Sequence, residues 1–371
     1  MHGKVLLPSS FDSLIPLLAQ RGYTVVAPTV REGTIVLDRV SSSEELPIGW
    51  HDSHEPGMYR AAPSADHTYF GYTLGPRTAK HYLFPPQQTM LTIEHAETGL
   101  RFAPEPPPTE RYAFVGLRAC ELAAVAVQDT VFVDSPFTDS AYLERRRHSF
   151  TVGINCAVAG GTCFCTSMGT GPRCSSGYDL VVTEIDDENG HRFIVEVGTE
   201  DGAEVLAALN GTDMTAADTE LVEGIVARTE ASISRDVPAT EAYDALVSNL
   251  EHPIWDEIAN RCLSCTNCTL VCPTCFCSTT EDATDLEGTA IRGRRWDSCF
   301  NSEFSYLHGH PVRSSTRSRY RQWMTHKLAY WHDQFDSSGC VGCGRCITWC
   351  PAHIDFAEEL ARLVADSEVL T

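Results

Sequence analysis

The chain has 371 residues, 43% of them hydrophobic, and this length predicts two or three domains with ample material for hydrophobic cores. With 28 Lys and Arg against 50 Asp and Glu, its formal net charge is −22. Such a surface repels phosphate backbones and anionic lipid headgroups, so we expect no nucleic-acid partner and no membrane partner.

Sixteen cysteines are compatible with two kinds of compartment. Disulfides would require an oxidising one, but the chain is too long for a small stapled scaffold and its first residues do not read as a secretory signal peptide. No apolar run approaches the length of a membrane span. We therefore expect a cytoplasmic, reducing location, where clustered cysteines are usually metal ligands.

The first part of the chain predicts short elements separated by irregular segments. A helix is expected over 11–21, a long loop rich in Gly, Pro, His and Asp over 47–63, and a proline-rich connector over 104–108. Strands are predicted at 24–30, 34–40, 68–74 and 89–95.

The pattern then changes to a βαβ unit. Apolar strands at 112–118 and 149–155 flank an apolar helix at 121–132, which is typical of parallel strands joined by a crossover. Both strands end at the same edge of the sheet, where ligands usually bind. We therefore expect Cys120 and Cys156, which follow the two strands, to be neighbours in space.

A glycine-rich loop after the second strand adds Cys163 and Cys165. Together with Cys120 and Cys156 they offer four thiolates, and we predict a third 4Fe–4S cluster there. The alternative is a set of free cysteines buried near a sheet edge. Four further cysteines compete for the role of ligand: Cys174, Cys275, Cys277 and Cys299.

The next segment predicts a hairpin and an acidic helical region. The hairpin strands are 179–185 and 191–197, and Asp201 with Glu204 is expected to open a helix as a capping box. Two amphipathic helices follow at 216–234 and 240–250.

The C-terminal part contains the run C-x2-C-x2-C-x3-C-P twice, which is the spacing of bacterial two-cluster ferredoxins. The fourth cysteine of each run points away from the first three and ligates the other cluster. We therefore assign cluster 1 to Cys262, Cys265, Cys268 and Cys350. Cluster 2 is assigned to Cys340, Cys343, Cys346 and Cys272. Zinc is the rival metal, but its sites usually pair two C-x2-C knuckles or a knuckle with histidines.

An insertion of about 276–338 separates the two runs and contains a basic segment from Arg292 to Lys327, with 8 basic residues against 2 acidic ones. A helix from about 316 to 333 is predicted within it. Its aromatic and apolar stripe is interpreted as core. Its arginines are interpreted as a solvated face or as partners of the acidic segment from Glu184 to Glu251. Arg345, inside the second run, is the best candidate for a cation that binds beside a cluster and stabilises its reduced state.

These patterns predict an N-terminal α+β or α/β domain with a mixed sheet over 1–251, including the possible third cluster site. A bacterial-ferredoxin-like two-cluster domain with a helical insertion is expected over 252–371. There is no Rossmann G-x-G-x-x-G motif, P-loop or nucleophile elbow. Several clusters without a substrate site indicate an electron wire, which requires partner subunits.

Several stretches together resemble the beta, iron–sulfur subunit of cytoplasmic NAD(P)-linked nickel–iron hydrogenases, or sulfhydrogenases. They are VGLRACELAAVAVQDTVF, the RRR of LERRRHSFTVGINC, CFCTSMGTGP followed by GYDLVVTE, and the two ferredoxin runs. The pattern is shared with the corresponding electron-transfer subunit of anaerobic sulfite reductase. Where the family often has Cys-Asp, this chain has Cys120-Glu121, a change at a carboxylate close to the possible third cluster.

The resemblance implies that this chain transfers electrons between two partners. One is a flavin-containing diaphorase subunit, and the other is the pair of small and large hydrogenase subunits. It also implies that this chain itself carries no flavin or nickel. The alternative it leaves open is a partnership with the catalytic subunit of a sulfite reductase, because the catalytic metals of both enzymes lie on other chains. A third possibility, of a different class, is a zinc-stabilised interaction module.

Overall fold

The computed structural model describes residues 3–73 and 75–369, which form a large mixed sheet, a smaller second sheet and a helical unit around the C-terminal cysteine runs. The strands are β1 (Gly3–Leu6), β2 (Thr24–Arg31), β3 (Thr34–Arg39), β4 (Trp50–Glu55), β5 (Met58–Pro63), β6 (Gln87–Ala96), β7 (Gly99–Pro104), β8 (Tyr112–Arg118), β9 (Phe150–Ile154), β10 (Leu180–Asp187), β11 (Gly190–Val197), β12 (Thr212–Asp213), β13 (Ser278–Thr284), β14 (Ala290–Trp296), β15 (Tyr306–Leu307) and β16 (His310–Pro311). The α-helices are α1 (Pro8–Phe11), α2 (Leu14–Gln20), α3 (Lys80–Leu83), α4 (Ala119–Phe132), α5 (Ser140–Arg147), α6 (Glu200–Ala207), α7 (Ala216–Ser232), α8 (Ala239–Ser248), α9 (Ile254–Arg261), α10 (Asn267–Leu270), α11 (Thr316–Thr325), α12 (Trp331–Phe335), α13 (Arg345–Thr348) and α14 (Phe356–Val369). Among these described residues, no helix is both long enough and apolar enough to cross a membrane.

The large sheet has the strand order β12-β1-β11-β10-β9-β8-β2-β3. Strands β2, β8, β9 and β10 are parallel, whereas β1, β11 and β3 pair antiparallel, so the predicted mixed sheet is confirmed. Every residue of β8 and β9 is buried, as expected for parallel strands covered on both faces. The predicted βαβ unit is therefore present, with α4 as the crossover helix.

Two predictions for the first part of the chain were wrong. The segment expected to be a loop over 47–63 contains the antiparallel hairpin β4–β5. Its turn is held from far away, because Gly57 N donates to Ile347 O at 3.0 Å and Tyr59 stacks on Trp349. No local alternation of apolar residues marks these strands, and the residues that contact their turn lie far along the chain, at Ile347 and Trp349.

The strand predicted over 68–74 is absent among the residues of this segment that the structure describes; Leu74 lies outside them. The backbone N–H groups of Tyr69 and Phe70 instead donate to the buried carboxylate of Glu184 at 2.6 and 2.8 Å. The Glu184 side chain on β10 thus accepts the hydrogen bonds that a neighbouring strand would accept if this segment were in a sheet. The capping box predicted for Asp201 and Glu204 is wrong, because the N-cap is Thr199, two residues earlier. Thr199 accepts a hydrogen bond from Gly202 N at 3.1 Å.

The insertion between the cysteine runs is not purely helical, contrary to the prediction. It begins with the hairpin β13–β14, which joins β6 and β7 in a second sheet of order β13-β14-β6-β7. The strands are mostly polar, and they are held by cross-strand ion pairs such as Arg292 with Asp282 at 2.8 Å. Alternating charge of this kind gives no hydrophobic strand signal.

The helix predicted over 316–333 is present as α11, a short π-helical segment and α12. Its apolar stripe is buried, which confirms the interpretation as core: Tyr320, Trp323, Met324, Leu328 and Trp331. The arginines on its other faces have ordinary partners, since Arg317 and Arg321 both pair with Glu251 at 2.8 Å. These two side chains therefore hold the acidic segment rather than a cofactor.

Two hydrophobic cores divide the molecule. One lies against the large sheet, and the other lies among the helices that surround the cysteine runs. Val237 and the buried face of α8 belong to the second core, although they precede the boundary predicted between residues 251 and 252. That boundary stays a prediction, and the packing places α8 with the helical unit.

The two halves of the molecule meet through glycines of the second cysteine run. Gly342 and Gly344 have φ values of +62° and +72°. A Cβ added to Gly344 would lie 2.3 Å from Thr162 O, and one on Gly342 would lie 2.5 Å from Phe164 O. Phe164 N also donates to Gly342 O at 2.9 Å. No side chain fits between these two loops, so both positions require glycine.

We predict that Gly344→Ala destabilises the protein by more than Gly33→Ala does. Both glycines have a φ of +72°, but a Cβ on Gly33 meets nothing within 4 Å. The left-handed backbone alone costs alanine about 1–2 kcal/mol, and overpacking at Gly344 adds roughly 1–3 kcal/mol. Denaturant unfolding of the two variants measures the difference. Equal losses of free energy would show that the two loops are not tightly packed in solution.

Candidate metal centres

Thirteen of the sixteen cysteines line three separate cavities, and all sixteen are free thiols. Among the described residues, no three His, Cys, Asp or Glu side chains stand close enough to hold a single metal ion.

The first cavity brings together the four cysteines predicted to bind cluster 1. Its wall contains Cys262, Cys265, Cys268 and Cys350, beside the aromatic rings of Phe300, Tyr320 and Trp323. Two backbone amides already point at sulfur, since Ser264 N donates to Cys262 Sγ and Ile354 N donates to Cys350 Sγ, both at 3.4 Å. Amides directed at sulfur suit thiolates that bind a metal.

This cavity lies close to the protein surface. Cys265 is exposed, and the neighbouring Leu263 is 67% exposed. The turn that carries them is tight, with Ser264 and Thr266 at φ values of +50° and +70°. Three thiols are thus presented from one compact turn, while Cys350 reaches the same cavity from the second run.

The four cysteines predicted to bind cluster 2 are also neighbours. Burial raises the pKa of the Cys346 thiol well above its ordinary value, and the adjacent Cys340, Cys343 and Cys272 add to the rise. Thiolates packed together in this way repel one another unless a cation binds among them. The iron–sulfide core of a 4Fe–4S cluster is positively charged and would remove this repulsion. Each coordinating thiol would bind iron as a thiolate, because a thiol that coordinates a metal loses its proton. The donor set therefore fits a cluster.

Two buried lysines next to Cys272 were missed from the sequence. Lys327 Nζ donates to Cys272 Sγ at 3.3 Å and to Thr274 Oγ1 at 2.9 Å. Lys80 Nζ donates to Cys272 O at 2.7 Å and lies 3.9 Å from the centre of the Trp296 ring. Lys327 was missed because it lies within a helix whose aromatic stripe was interpreted only as core. Lys80 was missed because no local pattern connects it with a cysteine run about 190 residues later in the chain.

The electrostatics of the two lysines follow from this setting. Burial lowers the pKa of Lys80 to about 8, against the opposing effect of Cys275 and Cys272. Burial also acts to lower the pKa of Lys327, but Cys272 and Cys275 outweigh it and raise that pKa. In turn, a hydrogen bond from Cys275 and the charge of Lys327 hold the pKa of Cys272 well below its ordinary range.

The second cavity brings together the four cysteines of the predicted third site: Cys120, Cys156, Cys163 and Cys165. The loops after β8 and β9 meet there, as the parallel crossover predicted. Arg118 lines the same cavity, is 3% exposed, and leaves its Nε and Nη1 atoms without a hydrogen-bond partner among the described residues. Burial raises the pKa of Cys156, and the charge of Arg118 opposes that rise. A buried cation with free donors fits an anionic cluster.

Arg345 lies at the junction of this cavity with the second run, but its charge is already paired. Its Nη2 atom is 3.0 Å from Glu121 Oε1, and its Nε donates to Gly75 O at 2.8 Å. Arg345 is 5% exposed and Glu121 is fully buried. Burial raises the pKa of Glu121, and Arg345 acts in the opposite direction. A role for Arg345 beside a cluster stays a prediction, and Glu121 partly neutralises the charge it would supply.

The competing cysteines lie elsewhere. Cys275, Cys277 and Cys299 line a third cavity that shares no residue with the second one. Cys174 packs in the core of the large sheet near Cys156, but it does not line the second cavity. The role of the four thiols after β8 and β9 as metal ligands stays a prediction.

Comparison with known proteins bears on the dicluster part of this arrangement. Residues 261–354 match the family model of the 4Fe-4S dicluster domain. The chain is 29% identical over 303 residues to Sulfhydrogenase 2 subunit beta of Pyrococcus furiosus, across 80% of this chain and 86% of the relative. No solved structure matched the chain. The resemblance to iron–sulfur beta subunits of sulfhydrogenases that the sequence predicted is thereby confirmed, and so is a 4Fe–4S dicluster domain.

We expect Cys120→Ala to lower the iron content by about four atoms per chain, the content of one 4Fe–4S cluster. Cys174→Ala is the matched control, because it removes a buried thiol outside the cavity and should leave iron unchanged. Iron and acid-labile sulfide, measured on anaerobically purified chains, decide the question. Parent-like iron in Cys120→Ala would eliminate the site at the ends of β8 and β9.

We also expect Glu121→Gln to raise the reduction potential of a neighbouring cluster, because the change removes a buried negative charge and leaves Arg345 unpaired. A shift on the order of 50–100 mV follows for one charge about 10 Å away at an effective dielectric constant of about 20. The double variant Glu121→Gln with Arg345→Gln removes both charges and should return the potential towards that of the parent. Redox titration followed by EPR measures this cycle, and no shift in the single variant would contradict it.

Proposed function

We propose that the chain is an electron-relay subunit that binds two 4Fe–4S clusters in its dicluster domain and a third at the ends of β8 and β9. The observation that carries the proposal is that the three thiol sets are contiguous. Cys343 lies in the wall of the second cavity, and Cys346 lies in the wall of the first. Both belong to the set predicted to bind cluster 2, which therefore stands between the other two.

The two ends of this row lie near the surface, as a relay requires. Cys265 and Leu263 are exposed at the first cavity. At the second cavity the half-buried Val158 and Ile233 form part of the wall. A donor and an acceptor could therefore approach from different sides of the molecule, while the set predicted to bind cluster 2 stays inside.

Bound in these cavities, 4Fe–4S clusters would take up and release single electrons. The protein's own contribution is electrostatic. Arg118 and Lys327 hold positive charge against the thiols of the second cavity and of Cys272, and both are almost fully buried. Fixed cations in a water-poor setting favour the extra negative charge of a reduced site and so raise its potential.

We propose that the partners are nickel–iron hydrogenase subunits together with a flavin-containing diaphorase subunit, so that the relay connects NAD(P)H with hydrogen chemistry on other chains. The similarity to a protein named Sulfhydrogenase 2 subunit beta supports this assignment. Anaerobic sulfite reductase remains the rival assembly, and both would use the same row of thiols.

Purification of the native complex under anaerobic conditions tests the proposal. We expect two kinds of subunit to co-purify, one large and nickel-containing and the other flavin-containing, and we expect NAD(P)H to bleach the visible absorbance of the clusters. A co-purifying sirohaem subunit would instead show that the relay serves a sulfite reductase. A colourless chain that contains zinc and no iron would replace the relay with an interaction module.

Cys346→Ala supplies a functional prediction within that complex. It removes a thiol from the set predicted to bind cluster 2, so electron transfer from NAD(P)H to the catalytic subunits should fall at least about tenfold, while reduction of a small dye at the flavin continues. Ser337→Ala, a change at an exposed residue beside the same run, should leave both rates near those of the parent. Equal loss of both rates would instead indicate that the complex falls apart.

A further inference from the structure

A third cysteine-lined cavity is not used by the proposed relay. Its volume is about 410 Å³, and its wall contains Cys275, Cys277 and Cys299. The hairpin β13–β14 brings the latter two together, because Ser278 pairs with Trp296 at its base and Asp297 N donates to Cys277 O at 2.8 Å. The thiols of Cys277 and Cys299 consequently lie against each other. One hairpin thus brings together two cysteines that have 21 residues between them in the sequence.

The side of this cavity that faces Cys272 carries positive charge without acidic partners. Lys80 and Lys327 are 3% and 4% exposed, yet among the described residues neither forms an ion pair with a carboxylate. Lys327 lines the cavity itself, and Lys80 donates to Cys275 O at 3.3 Å. Two buried ammonium groups are costly unless anionic groups face them. The Cys272 sulfur, to which Lys327 donates, is one such group, and thiolates on the cavity wall would add to it.

His326 also lines the cavity but is not placed to add a fourth ligand. Its Nε2 atom accepts a hydrogen bond from the indole Nε1 of Trp331 at 3.1 Å. Because an indole nitrogen only donates, Nε2 must be unprotonated and Nδ1 must carry the proton. The neutral imidazole therefore has no free lone pair to offer a metal. Cys272, the other nearby thiol, is the residue that completes the set with Cys340, Cys343 and Cys346 in the proposed relay.

We propose that Cys275, Cys277 and Cys299 bind a further 4Fe–4S cluster through three thiolates, with its fourth iron directed into the cavity. Each thiol would lose its proton to solvent as its sulfur binds iron. The fourth iron would take a small ligand such as water or an external thiol. This inference rests on the proposed function only in that the chain binds iron–sulfur clusters. The further cluster would lie beside the proposed row of three clusters, near β15 and β16.

The first test compares iron and acid-labile sulfide in the anaerobically purified full chain and three variants. Cys277→Ala and Cys299→Ala should each lose about four iron atoms and about four sulfides. Ser278→Ala removes a polar atom from the same cavity and should lose none. Parent-like iron in both cysteine variants, or a Cys277–Cys299 disulfide found by mass spectrometry in the anaerobic parent chain, would overturn the proposal.

The second test uses the unaltered chain, so it does not depend on whether a variant folds. Oxidation with ferricyanide should release about one iron atom per chain and produce the EPR signal of a 3Fe–4S cluster, because one iron lacks a cysteine ligand. Cys120→Ala should still give this signal, and Cys299→Ala should not. Absence of the signal from the parent would refute a three-thiolate cluster.

The outcomes also separate this inference from the proposed relay. A parent chain without iron would overturn both. A parent chain that contains iron but gives no 3Fe–4S signal, and whose Cys277 and Cys299 variants keep all of that iron, would overturn only the further cluster.

Discussion

The contact between the second cysteine run and the loop at 162–165 is the constraint on which the rest of the structure depends. Gly342 and Gly344 allow this backbone approach, and Phe164 N donates to Gly342 O. The contact places Cys343 in the wall of the cavity formed at the ends of β8 and β9. The ion pair of Arg345 with Glu121 and the contact of Gly57 with Ile347 join the same two parts of the molecule.

Charge compensation is the second organising principle. Burial raises the pKa of most of the clustered thiols, so the metal-free sites favour neutral sulfur. The protein surrounds the same thiols with cations that have few acidic partners, above all Arg118, Lys80 and Lys327. Arg345 differs because Glu121 pairs with it. The positive charge available to an anionic cofactor therefore comes mainly from residues outside the cysteine runs.

The second sheet and the β4–β5 hairpin both position segments that carry cysteines. The hairpin β13–β14 extends the sheet of β6 and β7 and carries Cys277 and Cys299 to one place. The β4–β5 hairpin contacts the second cysteine run through Gly57 and Tyr59. Long-range contacts of this kind make the cofactor region a product of the whole chain rather than of a C-terminal module.

The sequence alone determined the eight-cysteine dicluster pattern, the parallel βαβ unit and the meeting of Cys120 with Cys156, because spacing and strand direction are local rules. It also identified the apolar stripe of α11 as core. Only the tertiary structure decided which cations face the thiols, since Lys80 lies in a short helix with no motif. It likewise decided that 47–63 is a hairpin, and that Cys275, Cys277 and Cys299 occupy a cavity of their own. These features depend on contacts between residues far apart in the chain, which no local pattern encodes.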